Sequence, residues 1–102
     1  MKEALILGPI SVAVTAKSHA FKFYKTGILG KKKCDGKIDH GLLAVGWGKL
    51  DGTGEEYFLV KNQWGTAWGE NGYAKIGINN ACKILERGSY PIVWEDLFLE
   101  SF

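Results

Sequence analysis

Residues 57–76, YFLVKNQWGTAWGENGYAKI, decide how the chain is read. Tyr57-Phe58-Leu59-Val60-Lys61 is an apolar run of strand length, rich in aromatic and β-branched side chains. Gly65, Gly69 and Gly72 then fall within eight residues, which requires a looping segment. Tyr73-Ala74-Lys75-Ile76-Gly77-Ile78 follows with the alternation of a half-buried strand. Two strands joined through an aromatic, glycine-rich loop are the nucleus around which the rest is placed.

Upstream, residues 42–47 form a second apolar run, separated from the first by a polar stretch containing Asp51-Gly52-Thr53-Gly54. Two apolar runs around a Gly- and Asp-rich connection read as an antiparallel hairpin with a long loop. Nearer the N-terminus, residues 10–16 set Ile10, Val12 and Val14 against Ser11, Ala13 and Thr15, again a strand. Ser18 is suited to cap one or two helical turns, with Ala20, Phe21 and Tyr24 on one face. Residues 27–30 resume extended chain, Lys31-Lys32-Lys33 reads as a solvated loop, and residues 84–93 give a last extended stretch. There is no internal repeat and no domain boundary.

With 102 residues, 46% apolar and 13% aromatic, the chain is one domain's worth and can build a core. Fourteen glycines against two prolines suit many tight turns between extended segments and argue against a helical bundle. A formal net charge of +2 gives no electrostatic case for nucleic acid, and no apolar run approaches the roughly 20 residues that span a bilayer. Cys34, Cys82, His19 and His40 lack the close pairing of a structural zinc site, so neither metal nor cofactor is expected. The opening residues imitate a secretory signal, with Lys2 before an apolar stretch that ends in Val14-Thr15-Ala16. Glu3 and the Gly8-Pro9 breaker favour instead a helix over residues 2–7 followed by a strand.

Two residues carry the chemistry. His40 stands at the entrance to the first hairpin strand, and Asn62 at the exit of the second, immediately before the loop that holds Trp64 and Trp68. Antiparallel pairing sets the start of one strand beside the end of the other, so His40 and Asn62, 22 residues apart, become neighbours. A histidine held by an amide oxygen keeps one tautomer and frees its other nitrogen to face a thiol, a unit of nucleophilic catalysis. From spacing alone, however, a lone histidine at a strand end is more often merely structural.

Gly8-Pro9-Ile10-Ser11-Val12-Ala13-Val14, the stretch IDHGLLAVGWG over residues 38–48, and the stretch quoted at the outset closely resemble the C-terminal half of papain-like cysteine peptidases, nearest the cathepsin L group. Ser89-Tyr90-Pro91-Ile92-Val93 is similar to that family's ending. The resemblance implies a mainly β lobe of the α+β class, an antiparallel barrel-like C-terminal lobe over residues 1–93 with one or two short helices, followed by a tail over 94–102. It implies that His40 is the general base, Asn62 the residue that orients it, and Trp64 the indole covering their bond. Trp68 would line the surface for the leaving-group side of the substrate. Ala13, Ile38, Asp39, Gly41 and Arg87 would contact the peptide, with Arg87 at the end of a pocket where it would favour an acidic or long polar side chain. Cys34 and Cys82 match a disulfide pair.

The chain departs from the family pattern in one decisive respect. The nucleophilic Cys and the oxyanion-hole Gln belong to another lobe that no segment here resembles, and Gln63 takes a position where the family commonly has Ser. Cys34 would substitute only if it were reduced and faced the imidazole. The expectation is half of a cysteine endopeptidase, inactive by itself, whose partners are a peptide or protein substrate and a Cys-bearing lobe. The alternatives are a non-catalytic peptide-binding module and a small β domain in which His40 and Asn62 are structural. The family implies a lysosomal or secreted location, without a convincing signal peptide in these residues. For the tail, Trp94, Leu97, Phe98 and Ser101 share one helical face, leaving open a disordered end or a short docked helix.

Overall fold

The computed structural model of the chain describes residues 2–30, 33–34, 36–86 and 88–89. Among them, a first helix α1 (Lys2–Leu7) leads into strand β1 (Ile10–Val14), a helical turn α2 (His19–Lys22) and strand β2 (Ile28–Leu29). Strands β3 (His40–Lys49), β4 (Glu56–Lys61) and β5 (Tyr73–Gly77) follow, then a tight 3-10 turn (Ala81–Lys83) and strand β6 (Gly88–Ser89). They build a six-stranded sheet in the order β2-β5-β4-β3-β1-β6. Every pairing is antiparallel except β2 with β5, which run parallel. Among the described residues no helix is long and apolar enough to cross a membrane.

The resemblance to a secretory signal resolves into two structural elements. Proline lacks the N–H that would continue a helix, so α1 ends before Gly8-Pro9 and the chain turns into β1. Leu5, Ile10, Val12 and Val14 all enter the core. Lys2 Nζ reaches Glu56 Oε2 at 3.1 Å and ties α1 to the hairpin. The hairpin itself runs further than the apolar runs suggested, because β3 starts at His40 and continues through Gly46 and Gly48 to Lys49. A bulge between Ala44 and Gly46 shifts the register with β4.

Ser18 caps α2 as its sequence promised: its Oγ accepts from the Phe21 N–H at 3.1 Å. Replacing Ser18 by Ala should cost about 1 kcal/mol, the usual value of an N-cap, measurable as a lower urea midpoint at unchanged slope. The cap matters because α2 has only four residues and cannot persist on propensity alone.

Within the extended stretch expected over residues 84–93, residues 84–86 are corrected: they continue the preceding turn, with the Ile84 N–H donating to the Ala81 carbonyl and the Glu86 N–H to the Lys83 carbonyl, both at 3.1 Å, while Arg87 and residues 90–93 lie outside the described residues. Asn80, Cys82 and Lys83 all have positive φ, which coils the chain into the 3-10 turn, and the described strand is only Gly88–Ser89. What pulls the turn inward is the bond between Cys34 and Cys82, the pairing the resemblance implied, helped by the Thr15 N–H donating to the Cys82 carbonyl at 3.0 Å. The Thr15 hydroxyl lies 3.4 Å from Cys34 Sγ and is the only one of the two with a hydrogen to donate, since a disulfide sulfur has none. Arg87, Lys31, Lys32 and the tail over 94–102 lie outside the described residues.

A second knot holds the β2–β5 end. The Tyr24 hydroxyl donates to the Gly27 carbonyl at 2.7 Å, accepts from the Lys75 N–H at 3.2 Å, and lies 3.0 Å from Glu70 Oε2, which also pairs with Lys75 Nζ. Burial, reinforced by Glu70, holds the Tyr24 phenol well above its ordinary value of 10.0. The unfolded phenol ionises near pH 10 while the folded one stays neutral, so the folded state binds the extra proton and loses stability as pH rises above that point. Tyr24→Phe should therefore flatten stability above pH 10 relative to the parent chain, as read by urea melts at pH 9, 10 and 11.

Gly69 is required where the aromatic loop turns back. Its φ is +59°, and a Cβ there would sit 2.5 Å from the Tyr73 carbonyl oxygen, a backbone atom that cannot move aside. Gly69→Ala should cost about 2–4 kcal/mol, the sum of a left-handed backbone penalty and a steric clash, visible as a fall in Tm.

Candidate active site

Sheet register brings the two chemical residues together. His40, the first residue of β3, stands opposite Val14 of β1, and Asn62 follows directly on β4, where its N–H donates to the Gly72 carbonyl at 3.0 Å. Leu43 pairs with Lys61, so the entry of β3 lies beside the exit of β4. His40 Nε2 and Asn62 Oδ1 are 2.7 Å apart.

The orientation of that bond follows from a third group. The Gln63 backbone N–H also points at Asn62 Oδ1, at 2.8 Å. A backbone N–H can only donate, so the amide atom it meets is the oxygen. That oxygen must then accept from His40, which places the hydrogen on Nε2 and leaves Nδ1 of the neutral ring with a free lone pair. Asn62 is buried, and its Nδ2 has no hydrogen-bond partner among the described residues. An unpaired buried donor costs about 1–3 kcal/mol, so stability alone would not select an asparagine here.

Aromatic rings enclose the pair. Trp64 stacks on the imidazole with centroids 4.9 Å apart and 29° between planes, while remaining 42% exposed on its outer side. Phe21, fully buried in α2, meets His40 edge-on at 6.4 Å and Trp64 edge-on at 5.5 Å. Trp68 stands behind them, edge-on to Trp64 at 5.6 Å, its indole N–H donating to the Phe21 carbonyl at 3.0 Å. Low-polarity walls of this kind strengthen the His40–Asn62 bond by keeping water from competing for it.

Trp68, expected to line the surface for the leaving-group side of the substrate, is only 8% exposed, and its indole N–H is already satisfied inside. Among the described residues, Trp64 is the one that presents an indole to solvent beside the histidine. The other site residues fall as follows. Ala13 and Gly41 are cross-strand partners, next to the His40–Val14 pair. The Asp39 carboxylate accepts from the Ala16 N–H at 2.8 Å, and its own N–H donates to Val14, so it pins the approach to His40. Ile38 is half-buried and precedes it. Cys34 is buried in the disulfide and does not face His40 as a thiol. Phe21 is the residue sequence reading missed: its helical face was legible, but nothing in the spacing said that the face packs under an imidazole 19 residues on.

Such a unit can take a proton on Nδ1 and stabilise the resulting imidazolium through Asn62, but it holds no nucleophile. The chain's two cysteines are both consumed in the disulfide.

Comparison with known proteins agrees with this geometry. The family model described as papain family cysteine protease matches residues 1–92. Cathepsin L2 of Homo sapiens is 47% identical over 98 residues, covering 91% of this chain and 29% of its own length. Cathepsin L1 of Drosophila melanogaster is 46% identical over 97 residues, covering 91% of this chain and 26% of its own. A solved structure of the bromelain protease from Ananas comosus in complex with the E64 inhibitor superposes with a TM-score of 0.81 at 35% identity, over 89% of this chain and 43% of that one. The chain thus spans less than a third of the length of these cathepsins. The sheet is that of the papain-like fold, and the chain belongs to the papain family of cysteine proteases, cathepsin L-like in sequence.

Proposed function

We propose that these residues form the general-base half of a papain-like cysteine endopeptidase, a lobe over residues 1–93 that hydrolyses peptide bonds only when a cysteine-bearing lobe completes the cleft. The observation that carries the reading is the 2.7 Å bond from His40 to Asn62 Oδ1, which leaves Nδ1 as a proton acceptor beneath the Trp64 indole. In the completed site Nδ1 takes the thiol proton, giving a thiolate and an imidazolium. The thiolate attacks the scissile carbonyl, His40 passes its proton to the leaving amine, and the same nitrogen then activates the water that releases the acyl group. Asn62 holds the ring in one orientation throughout and fixes its tautomer whenever it is neutral, and Ala13, Ile38, Asp39, Gly41 and Arg87 flank the peptide. The substrate is a peptide or protein, and the disulfide suits an oxidising compartment, lysosomal or secreted.

A second reading, a peptide-binding module without turnover, draws on one observation: both cysteines are oxidised and buried, so no thiol of this chain can react. Mixing separates the two. The chain is assayed on a fluorogenic dipeptide substrate with reductant, alone and with a separately produced cysteine-bearing lobe of a close relative. No turnover by the chain alone and thiol-dependent turnover after mixing support the peptidase half. Peptide binding with no turnover in any mixture supports the binding module.

A further inference from the structure

The positive charge of this chain is not spread evenly. Seven of its 13 Lys plus Arg, and only one of its 11 Asp plus Glu, fall between residues 17 and 37, although the whole chain carries only +2. The part of that stretch nearest the site is KSHAFKFYK, residues 17–25, built on α2 and its flanks and free of any carboxylate. Lys17, Lys22 and Lys25 are exposed, and among the described residues none of the three has an ion pair. The carboxylates close by in the fold are already engaged: Asp39 with the Ala16 N–H, Glu70 with Lys75.

We infer that this cationic shoulder selects substrates carrying acidic side chains on the part of the peptide that passes over Trp64 toward α2. The inference deepens the peptidase reading and rests on it. Position supplies the link, because α2 is the element whose Phe21 underlies both His40, at 6.4 Å, and Trp64, at 5.5 Å. An extended peptide advances about 3.3 Å per residue, so two or three residues beyond a bond poised at His40 cross the indole and reach the shoulder. The hairpin side of His40 leads the other way, to Ala13 and Gly41. Carboxylates arriving at α2 meet unpaired ammonium groups with long reach, whereas lysine or arginine side chains meet like charge. Exposed pairs are individually weak, so two or three together give about a ten-fold preference for Glu over Gln at low salt. The preference decays with ionic strength, since the screening length falls to about 3 Å at 1 M salt.

The test uses the 15N-labelled 102-residue chain, titrated with blocked hexapeptides that share their first three residues and end in three Glu, three Gln or three Lys. A sulfated heparin oligosaccharide serves as a fourth probe, and each titration is run at 20 and 500 mM NaCl. The expected result is that the Glu peptide shifts the amides of residues 17–25 and the Trp64 indole, binds about ten-fold tighter than the Gln peptide, and loses that advantage at 500 mM. The double variant Lys17→Glu, Lys22→Glu should reverse the order, favouring the Lys peptide. Equal binding of the Glu and Gln peptides, or an unchanged preference in a double variant whose spectrum remains folded, overturns the inference. So does a response to heparin alone, which would make the stretch a general polyanion surface. Binding is read without turnover, so these outcomes bear on charge selection, whereas failure of the mixed halves to cleave any peptide bears on the peptidase reading.

Discussion

Replacing His40 by Ala, in the chain complemented with a cysteine-bearing lobe, is expected to lower kcat/KM by about 10⁴-fold or more, because the base, the proton donor to the leaving amine and the activator of water are one side chain. Asn62→Ala should cost less, about 10²-fold, since the imidazole remains and loses only its fixed tautomer and a partner for its positive form. The loss should fall on kcat more than on KM, as Asn62 is buried behind the ring and does not meet the peptide. The two substitutions combined should be no worse than His40→Ala alone, because both act through one nitrogen. Steady-state kinetics on the mixed halves checks all three. A His40→Ala complex within ten-fold of the parent would remove His40 from the mechanism.

The second large effect is on stability. The Cys34–Cys82 bond closes a loop of 48 residues. Chain entropy assigns such a closure about 4 kcal/mol, a large part of the 5–15 kcal/mol that a domain of this size possesses. The double variant Cys34→Ala, Cys82→Ala should therefore unfold at a much lower urea concentration, and reductant should move the parent chain toward the same midpoint. Fraying should begin at the 3-10 turn Ala81–Lys83, where Cys82 and Lys83 hold positive φ, and pass to β6, which follows it and borders β1. A loss below 1 kcal/mol would mean that packing of Thr15, Ala81 and Ile84 suffices to hold the turn.

The hairpin was legible because two apolar runs bracket a Gly- and Asp-rich loop, and once it was drawn the meeting of His40 with Asn62 followed from antiparallel register. The true length of β3 was obscured by Gly41, Gly46 and Gly48, which dilute the apolar pattern while the backbone still pairs. The parallel seat of β2 against β5 had no local signature at all, since two residues carry no period. Residues 84–86 read as extended because the disulfide that coils the turn before them acts through space and leaves no local signal. The burial of Trp68 had no local signature, since the glycine loop that holds it folds its ring onto Phe21 at 5.3 Å and Tyr24 at 5.5 Å. Identities of the chemical groups could be read along the chain, whereas which aromatic ring faces water was decided by α2 packing across the sheet.

In the proposed half-site Asn62 holds His40 as a base with its lone pair on Nδ1. Two-bond 1H–15N correlation spectra of the His40 ring, recorded on the isolated chain at a pH where the imidazole is neutral, read the tautomer directly. The expected result is a protonated Nε2 and an unprotonated Nδ1 in the parent chain, and a mixture of tautomers in Asn62→Ala. A protonated Nδ1 in the parent chain, or a tautomer indifferent to Asn62, would contradict it.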